Sequence, residues 1–357
     1  MPYRRGVSYE GILHHPCCSH CDVPTPTPSM ATNKASAPAG PIPFKDVVMN
    51  NFDLLATIPA DQRSLEDNGD VLVSTLPSKL IAGSTQHRLR CYQGFWLPET
   101  FVPAAIGLQR RFVTRPDDVI IASLPKCGTT WLNALAFATM ARRSYPPSGA
   151  DHPLLRLSPH QCVPFLDVLF AGGSREARLD VLPSPRLMYT HMPHEMLPRA
   201  IGAGGCRVVY ICREPKDTAV SLWQFLSYPK PLELALSLSH SVPPEHALHP
   251  ELSFVDTFES ICSGANTYGP FWDHILGYWR ASESWPENVL FLRYEELLRD
   301  PAENVRKLAR FVELPFSKAE EEACRRRARH RGPLQSREPE EPGGEQDGLH
   351  GRPQVPA

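Results

Sequence analysis

Residues 118–131 read DVIIASLPKCGTTW. The β-branched residues of this short apolar block predict a buried strand, and the apolar spacing of residues 132–140 predicts a helix directly after it. The turn between them contains Lys126 and Gly128. A glycine lets the backbone approach a ligand closely, and the first N–H groups of a helix have no partner within the helix. With the lysine charge added, the turn suits a phosphate or a sulfate.

The order of residues in the turn separates it from the loop that binds nucleoside triphosphates. In that loop a Gly-Lys pair is followed by the Ser or Thr that holds Mg²⁺, whereas here Lys126 precedes Gly128. A P-loop kinase or NTPase is therefore the less favoured interpretation. For this stretch alone, an ordinary strand-turn-helix with a solvated lysine stays open.

Composition excludes several classes of protein. The chain has 357 residues, long enough for one large α/β domain, and its 37 basic and 39 acidic residues give a formal net charge of −2. No basic excess points to nucleic acid or an anionic membrane, and no apolar run approaches the ~20 residues that span a bilayer. The ten cysteines, several within predicted strands and helices, are typical of reduced core thiols. We expect a cytoplasmic protein that binds neither nucleic acid nor membrane.

Composition also divides the chain. Residues 1–45 are rich in Pro, Ala, Ser and Thr and predict a disordered leader, whereas residues 46–318 predict the folded domain. Residues 319–357, with their Arg run and their Pro, Gly and Glu, predict a disordered tail. The sequence HHPCCSHC at residues 14–21 has zinc-ligand side chains but no distant second pair, so we expect no metal site.

Two proline-containing stretches lie inside the predicted domain. Residues 141–183 predict a surface crossover, and residues 229–265 predict a mobile gate over a binding site.

Polar residues stand at the ends of further predicted strands. His191 follows residues 186–190, at the carboxyl end where open α/β sheets place their ligand groups. Arg213 follows the apolar strand at residues 207–212, and the helix after it carries Ser221, so both can reach one anion. Tyr294 lies near the end of a strand predicted over residues 289–296.

Each of these residues also has an ordinary structural interpretation. His191 could be a hydrogen-bonded polar residue without a catalytic role. Tyr294 could be a tyrosine at the end of a strand with its hydroxyl exposed to solvent. Arg213 could pair with Glu214 or Asp217 on the surface.

Four segments of the chain, placed in the same order as in that family, resemble the soluble sulfotransferases, which use 3′-phosphoadenosine 5′-phosphosulfate as donor. PKCGTTW at residues 125–131 resembles their 5′-phosphosulfate loop, and PRLMYTHMP at residues 185–193 their catalytic-histidine segment. RVVYICREPKDTAVS at residues 207–221 is similar to their 3′-phosphate motif, and YQGFW at residues 92–96 resembles plant members. The resemblance covers residues 75–317. It implies a three-layer α/β fold with a central, mainly parallel sheet and a P-loop-like strand-turn-helix nucleotide site.

The resemblance also implies roles for the site residues. His191 and Lys126 would be catalytic, the histidine as the base that takes the acceptor's proton. The residues implied to bind the donor are Lys126, Cys127, Gly128, Thr129, Thr130, Trp131, Arg213, Ser221 and Tyr294. Trp131 would stack on adenine, and Arg213 and Ser221 would hold the 3′-phosphate. A cation and a helix N-terminus could make the Cys127 thiol reactive, but a structural filler is favoured.

The implied reaction moves a sulfuryl group, without a metal, to a hydroxyl of a small, largely apolar acceptor. Flavonoid, steroid and hydroxylated hormone acceptors all stay open. After Ser317 the chain departs from the family pattern, because an Arg-Lys-Gly nucleotide clamp and the short dimer-forming segment do not appear. We therefore expect a monomer. A catalytically impaired or inactive nucleotide-binding protein of the same fold is the alternative function.

Overall fold

The computed structural model describes residues 40–50, 72–81, 87–147, 149–171, 175–199, 201, 205–227 and 252–322. The His/Cys cluster at residues 14–21 and most of the predicted leader, gate and tail lie outside these residues. The described helices and strands are, in chain order, α1 Phe44–Asn50, β1 Ser78–Leu80, β2 Arg88–Tyr92, β3 Phe95–Pro98, α2 Val102–Arg111, β4 Val119–Ser123, α3 Thr129–Met140, α4 Pro159–Cys162, α5 Leu166–Phe170, β5 Leu187–Thr190, β6 Arg207–Cys212, α6 Pro215–Ser227, α7 Phe254–Cys262, α8 Phe271–Ser284, β7 Val289–Arg293, α9 Tyr294–Arg299 and α10 Pro301–Phe311.

A parallel four-stranded sheet forms the centre of the fold. Its strand order is β5-β4-β6-β7, with Val119 paired to Leu187 on one side and to Arg207 on the other. Every residue of β4 is buried, as expected for a strand that is covered on both faces. The apolar block at residues 118–123 is thus the central strand that its β-branched residues predict.

Alternate residues of β4 pack into two separate hydrophobic cores. Ile120 and Ala122 belong to the core that also contains α2 and α8, whereas Val119 and Ile121 belong to the core that contains α3 and α10. Because side chains alternate across a strand, each core lies on its own face of the sheet. The chain therefore has the expected three layers, with helices on both sides of a central parallel sheet.

A buried ion pair fixes the amino ends of the central strands. Arg186 directs Nε and Nη2 to the two carboxylate oxygens of Asp118 at 2.8 and 2.6 Å, and both residues are buried. The backbones of these residues continue the ladder, since Val119 N donates to Arg186 O and Arg207 N donates to Asp118 O. The pair thus ties together the starts of β4, β5 and β6.

A second sheet is antiparallel, has the order β1-β2-β3 and lies beside the turn that precedes α8. Gln93 and Gly94 connect β2 to β3 with φ values of 49° and 87°, which matches a two-residue turn with positive φ at both positions. Trp96 on β3 exchanges two backbone hydrogen bonds with Tyr268 and Gly269, Tyr268 itself having a positive φ of 62°. The YQGFW segment is therefore attached to the turn that precedes α8.

Several expected boundaries differ from the structure. Helix α1 begins at Phe44, before the predicted domain start at residue 46, and Val47 is buried. Strand β7 ends at Arg293, and Tyr294 is the first residue of a helix. Residues 254–262 of the predicted gate form helix α7, where Phe254 packs against Trp223 of α6. Among the described residues of the crossover at 141–183, most apolar side chains are buried, because short helices carry them into the cores.

None of the helices in the described part of the chain has both the length and the hydropathy that a bilayer crossing requires.

Candidate active site

The turn at residues 124–128 joins β4 to α3 through two left-handed residues. Lys126 has a φ of 70° and Gly128 a φ of 103°. The helix begins at Thr129, and its ladder opens with the hydrogen bond from Leu132 N to Gly128 O. The N–H groups before Leu132 therefore belong to the unpaired first turn of a helix, a position that favours anions.

Lys126 lies above the ring of Phe225, with Nζ 4.5 Å from the ring centroid. Burial lowers the pKa of this amine, and the nearby positive charge of Arg213 lowers it further. Both effects disfavour the protonated, positively charged form of the Lys126 amine. An anion bound beside Lys126 would stabilise that charged form.

The hydroxyls of the first two residues of α3 are held by side chains of β4 and α4. Thr129 Oγ1 lies 2.5 Å from Ser123 Oγ, and both residues are buried. Thr130 Oγ1 lies 2.9 Å from Nε2 of His160, a residue of α4. Burial, followed by the charge of Lys126, lowers the pKa of His160 to about 4, so this imidazole is neutral at pH 7.

Arg213 follows β6 and reaches back across the turn. Its Nη1 lies 3.5 Å from the carbonyl oxygen of Lys126, and its guanidinium carbon lies 4.9 Å from the ring centroid of Tyr294. Its Nη2 lies 3.4 Å from the exposed carboxylate of Asp217, so the surface pair considered from the sequence forms as a long contact. Ser221 is half-buried on α6, one helical turn after Asp217. Arg213 is thus in contact with the turn, and Ser221 lies on the helix that follows Arg213.

The rings of Trp131 and Tyr294 pack against each other beside Gly128 of the turn. Their ring centroids are 5.8 Å apart, with the rings nearly perpendicular. A Cβ added to Gly128 would lie 2.6 Å from Cδ2 of Tyr294, so this glycine is required for the close approach as well as for its φ. Among the described residues, Trp131 Nε1 and Arg213 Nε are buried donors without a partner.

His191 follows β5 at the carboxyl edge of the sheet, beside β4. Its Nδ1 lies 2.8 Å from the carbonyl oxygen of Ser123. A carbonyl only accepts, so Nδ1 carries the proton and the lone pair of Nε2 is available to take another. Burial lowers the pKa of His191 to about 4, the hydrogen bond to Ser123 opposes that shift, and the charges of His160 and Lys126 add to it. The neutral imidazole is therefore the form present at pH 7.

Comparison with known proteins agrees with this geometry. The family model described as "Sulfotransferase domain" matches residues 116–331. Cytosolic sulfotransferase 5 of Arabidopsis thaliana is 39% identical over 261 residues, which are 72% of this chain and 75% of the relative. Cytosolic sulfotransferase 8 of the same plant is 41% identical over 254 residues, or 71% and 70% of the two chains.

The chain belongs to the sulfotransferase family.

Solved structures extend the comparison. An Arabidopsis thaliana structure described as a candidate steroid sulphotransferase is 36% identical, has a TM-score of 0.57 and aligns over 71% of this chain and 83% of its own. Retinol dehydratase, solved with androsterone and inactive cofactor PAP, is 19% identical with a TM-score of 0.52 over 74% and 77% of the two chains, and it supports the fold alone.

The comparisons confirm the expected family, fold class and enzyme class, so the protein is an enzyme that transfers sulfuryl groups. The curated relatives are named cytosolic, in agreement with the cytoplasmic location expected from the sequence. The family match runs to residue 331, beyond the domain end predicted at residue 318.

Cys127 of the sulfotransferase turn has its side chain directed away from the anion site. The residue is fully buried, and its Sγ lies 3.6 Å from Thr218 Oγ1 on α6. Burial raises the pKa of this thiol to about 11, although the Thr218 hydrogen bond opposes the shift. The Cys127 thiol is therefore an unreactive buried group that fills space beside α6.

Sequence reasoning missed three residues near His191, of which Asp167 and His274 are buried and His160 is half-buried. They are His160 on α4, Asp167 on α5 and His274 on α8. The sequence signal was weak but present, since Asp167 stands as a lone acid within the apolar run at residues 163–170. His274 donates from Nε2 to the backbone carbonyl of His191 at 3.0 Å and accepts at Nδ1 from Tyr210.

The described part of the chain contains no group of three or more His, Cys, Asp or Glu residues that could hold a metal ion.

Proposed function

We propose that this sulfotransferase moves the sulfuryl group of 3′-phosphoadenosine 5′-phosphosulfate to a hydroxyl of a small, largely apolar acceptor. The observation that carries the proposal is the orientation of His191, whose Nδ1–H donates to Ser123 O and leaves Nε2 as a neutral base. Ser123 is the last residue of β4, the strand that leads into the Lys126 turn. The base is therefore hydrogen-bonded to the start of the short segment that carries the proposed anion site.

The donor fits the residues present. The turn offers unpaired N–H groups, and Lys126 offers a half-buried amine that faces a ring. Arg213 and Trp131 offer buried N–H donors without protein partners in the described chain. A nucleotide with three anionic groups would supply acceptors for these donors. Arg213 and Ser221 would hold the 3′-phosphate, and Trp131 and Tyr294 would contact the nucleotide.

The reaction exchanges one S–O bond for another. The acceptor oxygen attacks sulfur, the bond from sulfur to the 5′-phosphate oxygen breaks, and the hydroxyl proton passes to Nε2 of His191. Lys126 and the N–H groups of Gly128, Thr129 and Thr130 would stabilise the negative charge that develops on the transferred and leaving groups. The products are a sulfate ester and 3′-phosphoadenosine 5′-phosphate.

Aromatic rings around His191 favour an apolar acceptor. The ring of Phe165 lies 5.2 Å from the imidazole and that of Tyr268 lies 5.5 Å from it, by their centroids. Apolar walls with one polar group at the reacting atom are typical of sites for small hydrophobic ligands. Flavonoid, steroid and hydroxylated hormone acceptors each fit this chemistry.

A second candidate function is nucleotide binding with little turnover. It is favoured by the sequence after Ser317, which lacks the Arg-Lys-Gly clamp of the family. One missing charge-assisted contact would weaken donor binding by roughly 10- to 100-fold. We propose in addition that the chain is a monomer, which sedimentation would test.

Two substitutions with opposite effects test the proposed function. His191→Ala should reduce turnover on a panel of phenols and hydroxysteroids by at least about 100-fold, because the base is lost, with the affinity for 3′-phosphoadenosine 5′-phosphate within about twofold. Arg213→Ala should weaken that affinity by roughly 30- to 1,000-fold, or about 2–4 kcal/mol. Isothermal titration and initial rates measure both, with the exposed Arg310→Ala as control.

The outcomes separate the candidates. Equal losses of nucleotide affinity in the His191 and Arg213 variants would remove the assigned roles. Nucleotide binding by the wild-type chain without turnover of any acceptor would favour the second candidate. Binding of ATP with Mg²⁺ in preference to the bisphosphate would contradict both.

A further inference from the structure

Asp167 is a fully buried carboxylate that no sequence motif singles out. Three donors converge on it. Thr190 Oγ1 donates to Oδ1 at 2.5 Å, whereas Tyr268 Oη and the backbone N–H of His191 donate to Oδ2 at 2.7 and 3.2 Å. All three donors are uncharged, so none of the hydrogen bonds to this carboxylate comes from a cationic group.

These hydrogen bonds connect the separate pieces of chain that surround the imidazole. Thr190 is the last residue of β5 and His191 follows it, whereas Tyr268 belongs to the left-handed turn before α8, which is itself bonded to Trp96 of β3. The rings of Tyr268 and of Phe165, two residues before Asp167, both face His191. One side chain thus joins the backbone of the base to the wall of the acceptor site.

We propose that the ionised side chain of Asp167 is a positioning residue for His191. The inference rests on the proposed function, in which His191 is the base. Asp167 does not take the proton, which passes from the acceptor hydroxyl to Nε2 of His191. It fixes the direction of the imidazole through the backbone N–H and the Tyr268 ring, and its negative charge favours the imidazolium that forms during transfer.

A carboxylate performs this task better than an amide. Two oxygens accept all three donors at once, whereas an Asn at this place has one oxygen and one NH₂ group. With its oxygen toward Tyr268 and His191, an Asn could still donate to Thr190 Oγ1, which also accepts from Met192 N. Asp167→Asn therefore preserves shape and most hydrogen bonds while it removes the charge, and so it separates positioning by charge from simple packing.

The titration of Asp167 gives this role a distinct pH signature. Burial raises the pKa of Asp167 to about 6, against the lowering effect of its three donors, while the pKa of His191 is about 4. The titratable groups that face Asp167 are Tyr189 on β5, His191 directly after β5, Tyr268 before α8 and Tyr278 on α8. Burial raises the pKa values of the three tyrosines further above neutrality. His160 and Lys126 face His191. Turnover should thus fall with the protonation of Asp167 near pH 6, above the pKa of the base.

The experiment compares Asp167→Asn with the wild-type chain and with Asp273→Asn, an exposed acid on α8. We expect Asp167→Asn to lower kcat at pH 7.5 by about 10- to 100-fold, with the acceptor KM changed less than about threefold and nucleotide affinity within twofold. The acid limb of kcat near pH 6 should be present in the wild type and in Asp273→Asn, and should move toward pH 4 in Asp167→Asn.

A kcat for Asp167→Asn within threefold of wild type, or an acid limb that stays near pH 6 in that variant, would overturn the inference. If the variant does not fold, the wild-type profile still decides, because a kcat that is flat down to pH 5 contradicts the role. Failure of the proposed function looks different, since His191→Ala would then retain turnover whatever Asp167 does.

Discussion

At the scale of single residues, Gly128 is the position where the site tolerates least change. It combines a φ of 103° with a contact that would place a new Cβ 2.6 Å from Tyr294. Gly94 provides a matched comparison, since its φ is 87° but a Cβ there meets nothing within 4 Å. Left-handed backbone costs an L-residue about 1–2 kcal/mol. A side chain at Gly128 would therefore have this backbone cost and would also displace the Tyr294 ring, whereas a side chain at Gly94 would have only the backbone cost.

We predict that Gly128→Ala weakens binding of 3′-phosphoadenosine 5′-phosphate at least tenfold, because Tyr294 must move away from the turn. Gly94→Ala should lower the free energy of unfolding by about 1–2 kcal/mol and leave nucleotide affinity unchanged. Calorimetric titration and urea unfolding of the two variants measure these effects. Equal nucleotide affinities in the two variants would show that the Gly128 contact has no part in binding.

The positions of site residues could be predicted where they depend on one contiguous segment. Lys126, Gly128 and Arg213 follow the ends of strands β4 and β6, as the local apolar patterns predict, and their roles stay predictions. A local pattern marks Asp167 only as a lone acid in an apolar run and does not indicate its contacts, because its partners Thr190 and Tyr268 stand 23 and 101 residues away in the chain. Only the tertiary fold brings these donors to one carboxylate.

At the scale of elements, the ion pair between Asp118 and Arg186 sets the starting register of β4 and β5. Its members are 0% and 3% exposed, whereas the side chains of Arg310 and Glu303 on α10 are 58% and 52% exposed in their pair. Removal of one partner from a buried pair leaves an uncompensated charge, at a cost of about 3–5 kcal/mol. Exposed pairs contribute about 0–1 kcal/mol.

Arg186→Met should therefore lower the free energy of unfolding by about 3–5 kcal/mol, and Arg310→Met by less than about 1 kcal/mol. The double variant Asp118→Asn with Arg186→Met should be more stable than Arg186→Met alone, because the stranded charge is gone. Urea unfolding at pH 7.5 provides the three values. A double variant less stable than the single one would mean that the Asp118 carboxylate stabilises the fold without its partner.

Helices and strands whose apolar residues recur with a regular spacing were predicted well, and segments without such a spacing were not. The strands of the sheet and helix α10, with Val305, Leu308 and Ala309 buried, follow their apolar patterns. The strand predicted over residues 289–296 ends three residues early, because Tyr294 and the acids after it turn into α9. Residues 141–183 have no sustained period, and burial there is imposed by the cores on both sides of the sheet.

At the scale of the whole molecule, burial makes several histidines unusually weak bases. Burial lowers the pKa of His152, His160 and His191 to about 4 and that of His274 to about 3. The pKa of an unfolded histidine is about 6.5. Between these values the unfolded chain binds protons that the folded chain does not, so the free energy of unfolding falls as the pH is lowered from about 6.5 to 4.

Asp167 acts in the opposite direction. Burial raises its pKa to about 6, above the unfolded value of about 3.9, so the folded chain holds a proton that the unfolded chain releases, and stability rises as the pH falls through 6. Each group contributes at most about 1.4 kcal/mol per pH unit. Among the groups with large shifts, four histidines opposed by one aspartate leave three such contributions, or at most about 4 kcal/mol per pH unit between pH 6 and 5. The pKa of His194 is also lowered and that of Glu195 raised, so these two groups act in opposite directions.

We therefore predict that the free energy of unfolding decreases steeply between pH 6 and 5 and changes little above pH 7.5. His152→Asn should reduce that slope by about one third, because Asn can still accept the hydrogen bond from Leu154 N but does not titrate. Asp167→Asn should make the slope steeper, since the opposing contribution is removed. Urea titrations of the three chains at constant ionic strength measure the slopes, and identical slopes in all three would contradict the assignment of the shifts to these buried groups.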